Sequence, residues 1–285
     1  MCQTFNEGMI PMKLTFLGTG AAEGIPSPFC DCEVCEHARA NGGRNIRKRQ
    51  SVLVNDDLLI DFGPDIFPAC ASLGISLTKV DVLLITHSHS DHFTPINMEM
   101  RGKPFRLATE LPEMTVIAGP SVWTLWDRAG GSDASSGIVR HPILPGRSVQ
   151  VSGYSVRAIE ATHNSRIGDA MNYIIDDGRV KLLYGTDSGV YRDHVWEDLQ
   201  GQAFDAVVLE GTTWRNRPGK EHLNESDFGF MLEKMRQTGA IHDRTTVIAT
   251  HFSHQGVYPH AELEERVGKF GAICAYDGLV VEVNK

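Results

Sequence analysis

The sequence predicts an α/β protein in which β-sheets pack against each other and helices cover their outer faces. Three observations support this fold class: strand patterns fill both halves of the chain, segments with helical patterns lie between and after them, and no repeat of solenoid length is present. The chain has 285 residues, of which 41% are hydrophobic, and this length is near the upper limit for one hydrophobic core. We therefore expect a single domain over residues 1–285.

The first half of the chain predicts strands that lead to a histidine-rich segment. KLTFLGTG (residues 13–20) is typical of an opening strand that runs into a glycine turn, and SVLVNDDLLIDFG (residues 51–63) is typical of a hairpin that turns at Asn55–Asp57. The segment DIFPACASLG has a helical pattern and ends at Gly74. VDVLLITH is a continuous apolar run of the buried type, and it delivers His87 at its C-terminal end.

The second half predicts further strands, a hairpin and two helices. The strand patterns are, in order, SVQVSGYSVRAIEATH, MNYIIDDGRVKLLYGTD, AFDAVVLEGT and TTVIATH, and Asp177–Gly178 is a strong hairpin signal. Helices are predicted over residues 226–238, with Ser226 placed to cap the helix, and over residues 260–270. The final segment AICAYDGLVVEV predicts a closing hairpin, and the polar segment GGSDASSG predicts a surface loop.

Charge and hydrophobicity limit the classes of partner. The 36 acidic and 27 basic residues give a net charge of −9, and no basic run is long enough to follow a phosphate backbone, so we expect no long nucleic acid as a partner. A small anionic substrate held by metal is compatible with this charge. No apolar run approaches the ~18 residues that a membrane span needs, and the first twelve residues lack the apolar core of a signal peptide. We expect a cytoplasmic protein without membrane contact.

Side chains that can bind metals fall at four predicted strand ends. They are His87, His89, Asp91 and His92 after the first strand, His163 after the second, Asp187 after the third and His251 after the fourth. For any one histidine a solvated or core position is the simpler interpretation, but polar groups at buried strand ends need partners. Strand ends can converge on one sheet edge, and imidazole with carboxylate suits zinc, manganese or iron. Five histidines and two aspartates exceed the needs of one metal with an open position, but they suit two metals that share a carboxylate and a bridging water.

A cluster of cysteines near the N-terminus is a second candidate metal site. Cys30, Cys32 and Cys35 lie within the segment CDCEVC. In a reducing compartment this spacing indicates metal binding rather than disulfides, because free thiolates can coordinate. Three thiolates leave a tetrahedral zinc one ligand short.

These motifs resemble those of the metallo-β-lactamase fold superfamily. HSHSDH is similar to the H-x-H-x-D-H signature, and the later ligands follow in the family's order. LLIDFG resembles the family's first motif, whose aspartate, here Asp61, would brace the ligand loop rather than bind metal. The resemblance runs from about Leu14 to the C-terminus and implies an αββα four-layer sandwich. It also implies a bridging Asp187 between two metals, one held by His87, His89 and His163 and the other by Asp91, His92 and His251.

The cysteine segment resembles one particular branch of this superfamily. GTGAAEGIPSPFCDCEVC is similar to the opening of the PhnP-like branch of cyclic-phosphate phosphodiesterases, in which three cysteines and one histidine hold a separate structural zinc. The resemblance implies a structural-zinc loop near residues 24–36, with His254 as the fourth ligand beside the three cysteines. It also implies a homodimer.

One further histidine points to phosphodiesterase chemistry. In the phosphodiesterase branches of this superfamily, a histidine at the position of His222 faces the substrate without binding metal. By this resemblance His222 would contact the phosphate and protonate the leaving alkoxide. We expect hydrolysis of small cyclic phosphodiesters, such as ribosyl 1,2-cyclic phosphate or 2′,3′-cyclic nucleotides. The attacking group would be a hydroxide that bridges two manganese or zinc ions, with Asp91 and His222 as the catalytic side chains.

Other interpretations stay open. A tRNA 3′-processing endonuclease, similar to ribonuclease Z, shares the seven ligands, but the protruding glycine- and base-rich arm of that family has no counterpart in this sequence. A PqqB-like protein of cofactor biosynthesis also carries a cysteine-zinc motif near its N-terminus and does different chemistry. A metal-binding scaffold that has lost its chemistry predicts broken ligands, and none is missing. His222 itself could be a loop histidine in water.

Overall fold

Two mixed β-sheets of seven strands each face one another in the described part of the chain. The structure is a computed structural model, and it describes residues 11–107, 109–164, 166–215 and 219–285. Helices cover the outer face of each sheet. The predicted αββα four-layer sandwich is therefore confirmed. The first ten residues of the predicted 1–285 domain lie outside the described residues, and the assignment of a single domain stays a prediction.

The first sheet is built mainly from the N-terminal half of the chain. Its strands from that half are β1 Met12–Gly18, β2 Ser51–Val54, β3 Leu58–Ile60, β4 Val82–Leu84, β5 Met114–Ala118 and β6 Ile138–Pro142. Strands β1 to β3 pair antiparallel, as the predicted hairpin requires, whereas β3 to β6 pair parallel. The parallel strands direct their C-terminal ends to one edge of the sheet, and the histidine-rich segment begins just after β4.

The second sheet repeats this division into an antiparallel and a parallel half. Its strands are β7 Ser148–Val151, β8 Tyr154–Glu160, β9 Met171–Asp176, β10 Lys181–Gly185, β11 Phe204–Glu210, β12 Ile241–Thr250 and β13 Ile273–Cys274. Strands β7 to β10 pair antiparallel, and β10 to β13 pair parallel. The predicted hairpin between β9 and β10 is confirmed. Asp177 stabilises its turn because its side chain accepts the backbone N–H groups of Arg179 and Val180.

Helices form the two outer layers. Those of the described residues are α1 Glu33–Asn41, α2 Ile66–Leu73, α3 Pro95–Met98, α4 Pro120–Arg128, α5 Asp133–Ser136, α6 Asp193–Leu199, α7 Glu225–Gln237 and α8 His260–Gly268. Helices α2 and α4 pack on the first sheet, and α1, α6, α7 and α8 pack on the second. No helix in these residues is both long enough and apolar enough to cross a membrane.

The core between the sheets follows from the alternation of side chains along each strand. In β2, Val52 and Val54 pack toward the second sheet, whereas Leu53 packs against the outer helices. Tyr173 and Leu182 approach from the second sheet and are fully buried. Because both faces of these strands are covered, their sequences read as continuous apolar runs.

The prediction of a closing hairpin is wrong. Strand β13 pairs with β12 in the second sheet, whereas the last strand, β14 Val280–Val283, pairs antiparallel with β1 in the first sheet. The chain between them turns at Gly278, which has a φ of 91°, and crosses from one sheet to the other. The apolar pattern indicated two strands correctly, but it does not specify which neighbour each strand pairs with.

Two local predictions also need correction. Helix α7 begins and ends one residue earlier than predicted, and its cap is Asn224, whose side chain accepts the N–H of Asp227; Ser226 instead donates its hydroxyl to Asn224. The segment GGSDASSG is not only a loop, because it contains the short helix α5, where the Ser132 hydroxyl accepts the N–H of Ser135. Serine and asparagine both cap helices, so composition alone did not choose between neighbouring positions.

Truncating Leu182 in the core should destabilise the protein. We expect Leu182→Ala to lower the free energy of unfolding by about 2–5 kcal/mol, because the substitution leaves a cavity between the sheets. Val280→Ala is the control, since Val280 is 51% exposed on the edge strand β14. Urea unfolding at a fixed metal concentration measures both variants. If Leu182→Ala and Val280→Ala unfolded at the same urea concentration, Leu182 would not be part of the core.

Candidate metal centre

The predicted ligands meet at one edge of the sandwich. His87 follows β4, His163 follows β8, Asp187 follows β10 and His251 follows β12. Asp187 and His251 have left-handed backbones, with φ of 50° and 58°, which is uncommon for residues other than glycine and typical of functional sites. The structure brings all seven predicted ligands together in two overlapping sets of four, and Asp187 belongs to both.

The segment LLIDFG holds the histidine-rich loop in place. Asp61 is fully buried and accepts hydrogen bonds from the backbone N–H and the hydroxyl of Thr86, both at 2.9 Å, and from Nδ1 of His92 at 2.7 Å. Gly63 packs directly on the same loop: a Cβ there would lie 1.9 Å from the carbonyl oxygen of Asp91, so no side chain fits. These contacts agree with the bracing role that the family resemblance gives Asp61.

Three imidazoles converge in the first set. Nε2 of His87 lies 2.8 Å from Nδ1 of His89, which lies 3.2 Å from Nε2 of His163. The other ring nitrogen of His89 lies 2.6 Å from the side-chain amide of Asn164. Burial lowers the pKa of His87 well below its usual value and also lowers that of His163, so these rings are neutral. Neutral imidazoles aimed at a common point form a donor set that suits a divalent metal.

In the second set, imidazole nitrogens face carboxylate oxygens. His92 donates its Nδ1–H to Asp61, and its Nε2 lies 2.8 Å from a carboxylate oxygen of Asp187 and 3.1 Å from one of Asp91. Burial would lower the pKa of His92, but the charges of Asp91 and Asp61 raise it well above its usual value. Nε2 of His251 is also buried without a hydrogen bond to the described residues and lies 3.9 Å from the same oxygen of Asp91. Without a metal, protons on these rings hold the imidazoles and the carboxylates together. A divalent cation would replace such protons and bind the same nitrogen and oxygen atoms, so the donor set fits a divalent metal.

Asp187 is placed to serve both sets. Its Oδ2 lies 3.4 Å from Nε2 of His87 and 2.8 Å from Nε2 of His92. Burial by itself would raise the pKa of this carboxyl, but in the metal-free protein the charge of the His251 ring and the contact with His92 hold the pKa well below its usual value. The carboxylate is therefore charged, and a charged carboxylate between two sets of donors is what a pair of metals requires.

A cavity of about 280 Å³ opens over both sets, and His222 forms part of its wall. Nδ1 of His222 lies 3.0 Å from the buried carboxylate of Glu210 at the end of β11 and 3.4 Å from Asp187. Burial would lower the pKa of His222, but the negative charge of Glu210 raises it to about 9. His222 therefore faces the cavity, belongs to neither set of four, and has its charged form favoured by Glu210.

Glu210 positions His222 and is not itself a good metal ligand. Asp187, Glu210 and His222 lie close enough to form a third group of donors. However, Glu210 already accepts the backbone N–H of Ser188 at 2.8 Å and that of Leu223 at 3.2 Å, in addition to His222. Both carboxylate oxygens are therefore engaged in hydrogen bonds.

Sequence reasoning missed the partners that orient these side chains. Glu210 ends the predicted strand AFDAVVLEGT, so the strand-end pattern that indicated the ligands could have indicated it too. Thr212 places its hydroxyl 2.9 Å from Nδ1 of His251, and Asn164 contacts His89. Hydroxyl and amide partners of this kind have no sequence signature, because such residues are common in every loop.

The predicted cysteine cluster also forms. Its four donor atoms lie within 4.8 Å of one another and belong to Cys30, Cys32, Cys35 and His254. These cysteines are free thiols, and Sγ of Cys32 lies 3.5 Å from Nδ1 of His254. Arg39 of α1 donates to the carbonyl oxygens of Ser27 and Cys30, at 2.7 and 2.6 Å, which holds the loop against the helix. Three sulfurs and one imidazole nitrogen form a donor set that suits a structural zinc.

Comparison with known proteins identifies the family. The model of a beta-lactamase superfamily domain matches residues 57–252, a span that includes HSHSDH and ends just after His251. The chain belongs to this superfamily. Its fold and its candidate ligand sets are those of a metal-dependent hydrolase of the superfamily.

Similar proteins cover nearly the whole chain. The structure of a diphosphatase from the PhnP family has a TM-score of 0.75 and 23% identity, and the match covers 97% of this chain and 99% of that one. Zinc-bound PqqB from Methylobacterium extorquens has a TM-score of 0.70 and 18% identity, over 94% of this chain and 99% of its own. Coenzyme PQQ synthesis protein B of Methylococcus capsulatus is 24% identical over 95% of this chain and 99% of its own. At these sequence identities the structural matches establish the fold alone. The reaction has to be inferred from the residues of the site.

Replacing Asp61 tests the bracing contacts. We expect Asp61→Asn to weaken metal binding at the histidine sites by about 10- to 100-fold, because the variant loses the charged acceptor that orients His92. Competition with a chromophoric chelator measures the affinity. Asp56→Asn is the control, since Asp56 pairs with Lys13 and its side chain is 48% exposed. If Asp61→Asn bound metal as tightly as the wild type, Asp61 would have no such role.

Proposed function

We propose that this protein is a two-metal phosphodiesterase that hydrolyses small cyclic phosphodiesters, with ribosyl 1,2-cyclic phosphate and 2′,3′-cyclic nucleotides as candidate substrates. The observation that carries the proposal is the position of His222, which lines the same cavity as Asp187 but belongs to neither ligand set. Hydrolysis of a phosphodiester releases an alkoxide that needs a proton. A charged imidazole at the cavity wall is suited to supply it.

The proposal assigns three metal ions to the candidate sites. One catalytic ion would be held by His87, His89 and His163, and the other by Asp91, His92 and His251, with Asp187 shared between them. A structural zinc would be held by Cys30, Cys32, Cys35 and His254. Manganese and zinc both suit the donors of the catalytic pair. When bound, that pair lowers the pKa of a coordinated water and offsets the negative charge of the phosphoryl oxygens.

The chain's own residues prepare the proton transfer. Because Glu210 engages Nδ1 of His222, the ring is held in one orientation and Nε2 is the nitrogen left to meet a ligand in the cavity. The charge of Glu210 also favours the imidazolium form of His222. As negative charge develops on the leaving oxygen, His222 donates its Nε2 proton and Glu210 keeps the ring in place.

The size and lining of the cavity favour a small substrate. Its volume of about 280 Å³ lies just below the range of about 300 to 1,000 Å³ that is typical of small-molecule sites. Thr212, Thr213, Ser253 and Gln255 also line it and offer hydroxyl and amide groups to a sugar. The net charge of −9 argues against a long nucleic acid, and therefore against a tRNA 3′-processing endonuclease.

The second candidate function is a PqqB-like role in cofactor biosynthesis. The observation that favours it is similarity over almost the full length of coenzyme PQQ synthesis protein B of Methylococcus capsulatus. We rank it second because the pairing of His222 with Glu210 suits hydrolysis.

Oligomeric state and location complete the proposal. A homodimer in the cytoplasm is what the resemblance to the PhnP-like branch and the sequence imply. Light scattering of the purified protein tests the dimer, and a molecular mass near the 31.4 kDa of one chain would contradict it.

Removing His222 separates catalysis from metal binding. We expect His222→Ala to keep its metal content and to lose about 10²- to 10⁴-fold in kcat, because the leaving oxygen no longer receives a proton from the enzyme. His194→Ala is the matched control, since His194 is exposed and pairs with Glu160 on the surface. Steady-state kinetics and metal analysis of both variants are the measurements. A fully active His222→Ala variant would exclude the proposed role.

A substrate panel identifies the reaction class. The protein, loaded with manganese or zinc, is assayed on bis-p-nitrophenyl phosphate, 2′,3′-cyclic nucleotides, ribosyl 1,2-cyclic phosphate, a thioester and a β-lactam. We expect turnover of the phosphodiesters alone, with a ribose cyclic phosphate best. Inactivity on the whole panel at full metal occupancy would favour the cofactor-biosynthesis role instead.

A further inference from the structure

The segment from His251 to Gln255 serves both candidate metal regions. His251 belongs to a catalytic ligand set, and Ser253 and Gln255 line the cavity. His254 points toward the cysteine cluster and places its Nδ1 3.5 Å from Sγ of Cys32. Neighbouring residues of one short segment thus reach two different sites.

Glu23 contacts this segment from the N-terminal loop. Its Oε1 accepts the hydroxyl of Ser253 at 2.5 Å and lies 3.2 Å from Nε2 of His254 and 3.4 Å from the amide nitrogen of Gln255. Nδ1 of His254 faces a sulfur, so Nε2 is the nitrogen directed at Glu23, and it would carry the proton when Nδ1 binds zinc. Glu23 is also part of the cavity wall.

We infer that Glu23 is a positioning residue that joins the cysteine cluster to the wall of the substrate cavity. The inference rests on the proposal that the cysteine cluster holds zinc. A carboxylate that accepts from the second nitrogen of a histidine ligand fixes the tautomer and orientation of the ring and makes it a stronger ligand. Since the same oxygen also holds Ser253, one carboxylate links occupancy of the cysteine cluster to the shape of the cavity.

Other contacts hold the backbone around Glu23, so its side chain can be changed without releasing the loop. Ala21 donates its N–H to the carbonyl oxygen of Phe252 at 3.0 Å. Ile25 and Arg47 exchange two backbone hydrogen bonds, at 2.9 and 2.7 Å. Variants of Glu23 should therefore fold, and a change in metal affinity then reports on the side chain.

The test replaces zinc with cobalt in the full-length protein, because thiolate–cobalt charge-transfer absorption reports on the cysteine cluster without any turnover. We expect Glu23→Ala to weaken cobalt binding at this cluster by about 10- to 100-fold. Glu23→Gln keeps an oxygen acceptor but loses the charge, so its affinity should fall between those of the wild type and Glu23→Ala. Gln255→Ala is the matched control: it removes another contact of the same carboxylate, leaves Glu23 and His254 paired, and should bind cobalt as the wild type does.

Kinetics on bis-p-nitrophenyl phosphate at saturating metal give a second readout. Glu23→Ala should raise KM more than it lowers kcat, because the wall that positions the substrate is loosened while His222 is unchanged. If Glu23→Ala lowered kcat and left KM unchanged, the link between Glu23 and the cavity wall would be contradicted.

The outcomes separate this inference from the zinc assignment. A wild-type protein without a charge-transfer band would overturn the zinc assignment, and this inference with it. A normal band in the wild type, with the same cobalt affinity in Glu23→Ala, would overturn the role of Glu23 alone.

Discussion

The structure of the candidate metal centre depends on the buried carboxylate of Asp187. Nε2 of His92 is buried without a hydrogen-bond partner among the described residues and lies only 2.8 Å from this carboxylate, and imidazole nitrogens of His87 and His251 lie 3.4 Å from it. Gathering lone pairs and negative charge inside a protein costs free energy unless cations are bound there. Metal binding and the formation of this end of the sandwich are therefore linked, because the ligands converge only in the folded chain.

Two of the imidazoles that face a site have a buried carboxylate behind them. Asp61 supports His92, and Glu210 supports His222. In both pairs the carboxylate engages Nδ1, which leaves Nε2 for the metal or the cavity. Both carboxylates raise the pKa of the ring they contact; beside the ligand sets the contact orients a donor, whereas beside the cavity it favours the protonated form of His222.

Contacts between the two ends of the chain place the cysteine cluster beside the catalytic sets. The buried guanidinium of Arg47 donates to the hydroxyl of Thr19 at 2.8 Å and to the carbonyl oxygen of Ala275 at 2.6 Å. It also lies 2.9 Å from Nδ1 of His260 and packs over the ring of Phe252, which follows the ligand His251. The N-terminal loop is thereby fixed to the segment that supplies ligands to both sites.

The sequence by itself determined the strands, the ligand candidates at their ends and the cysteine cluster, because these features depend on local patterns: an apolar run, the side chains directly after it, and close spacing of like residues. Only the tertiary structure decided which strands pair with each other and which side chains are in contact. It paired Glu210 with His222 and separated β13 from β14 into different sheets. Strand partners and the acceptors of buried imidazoles come from other segments of the chain, so their choice is made by packing, which no local pattern records.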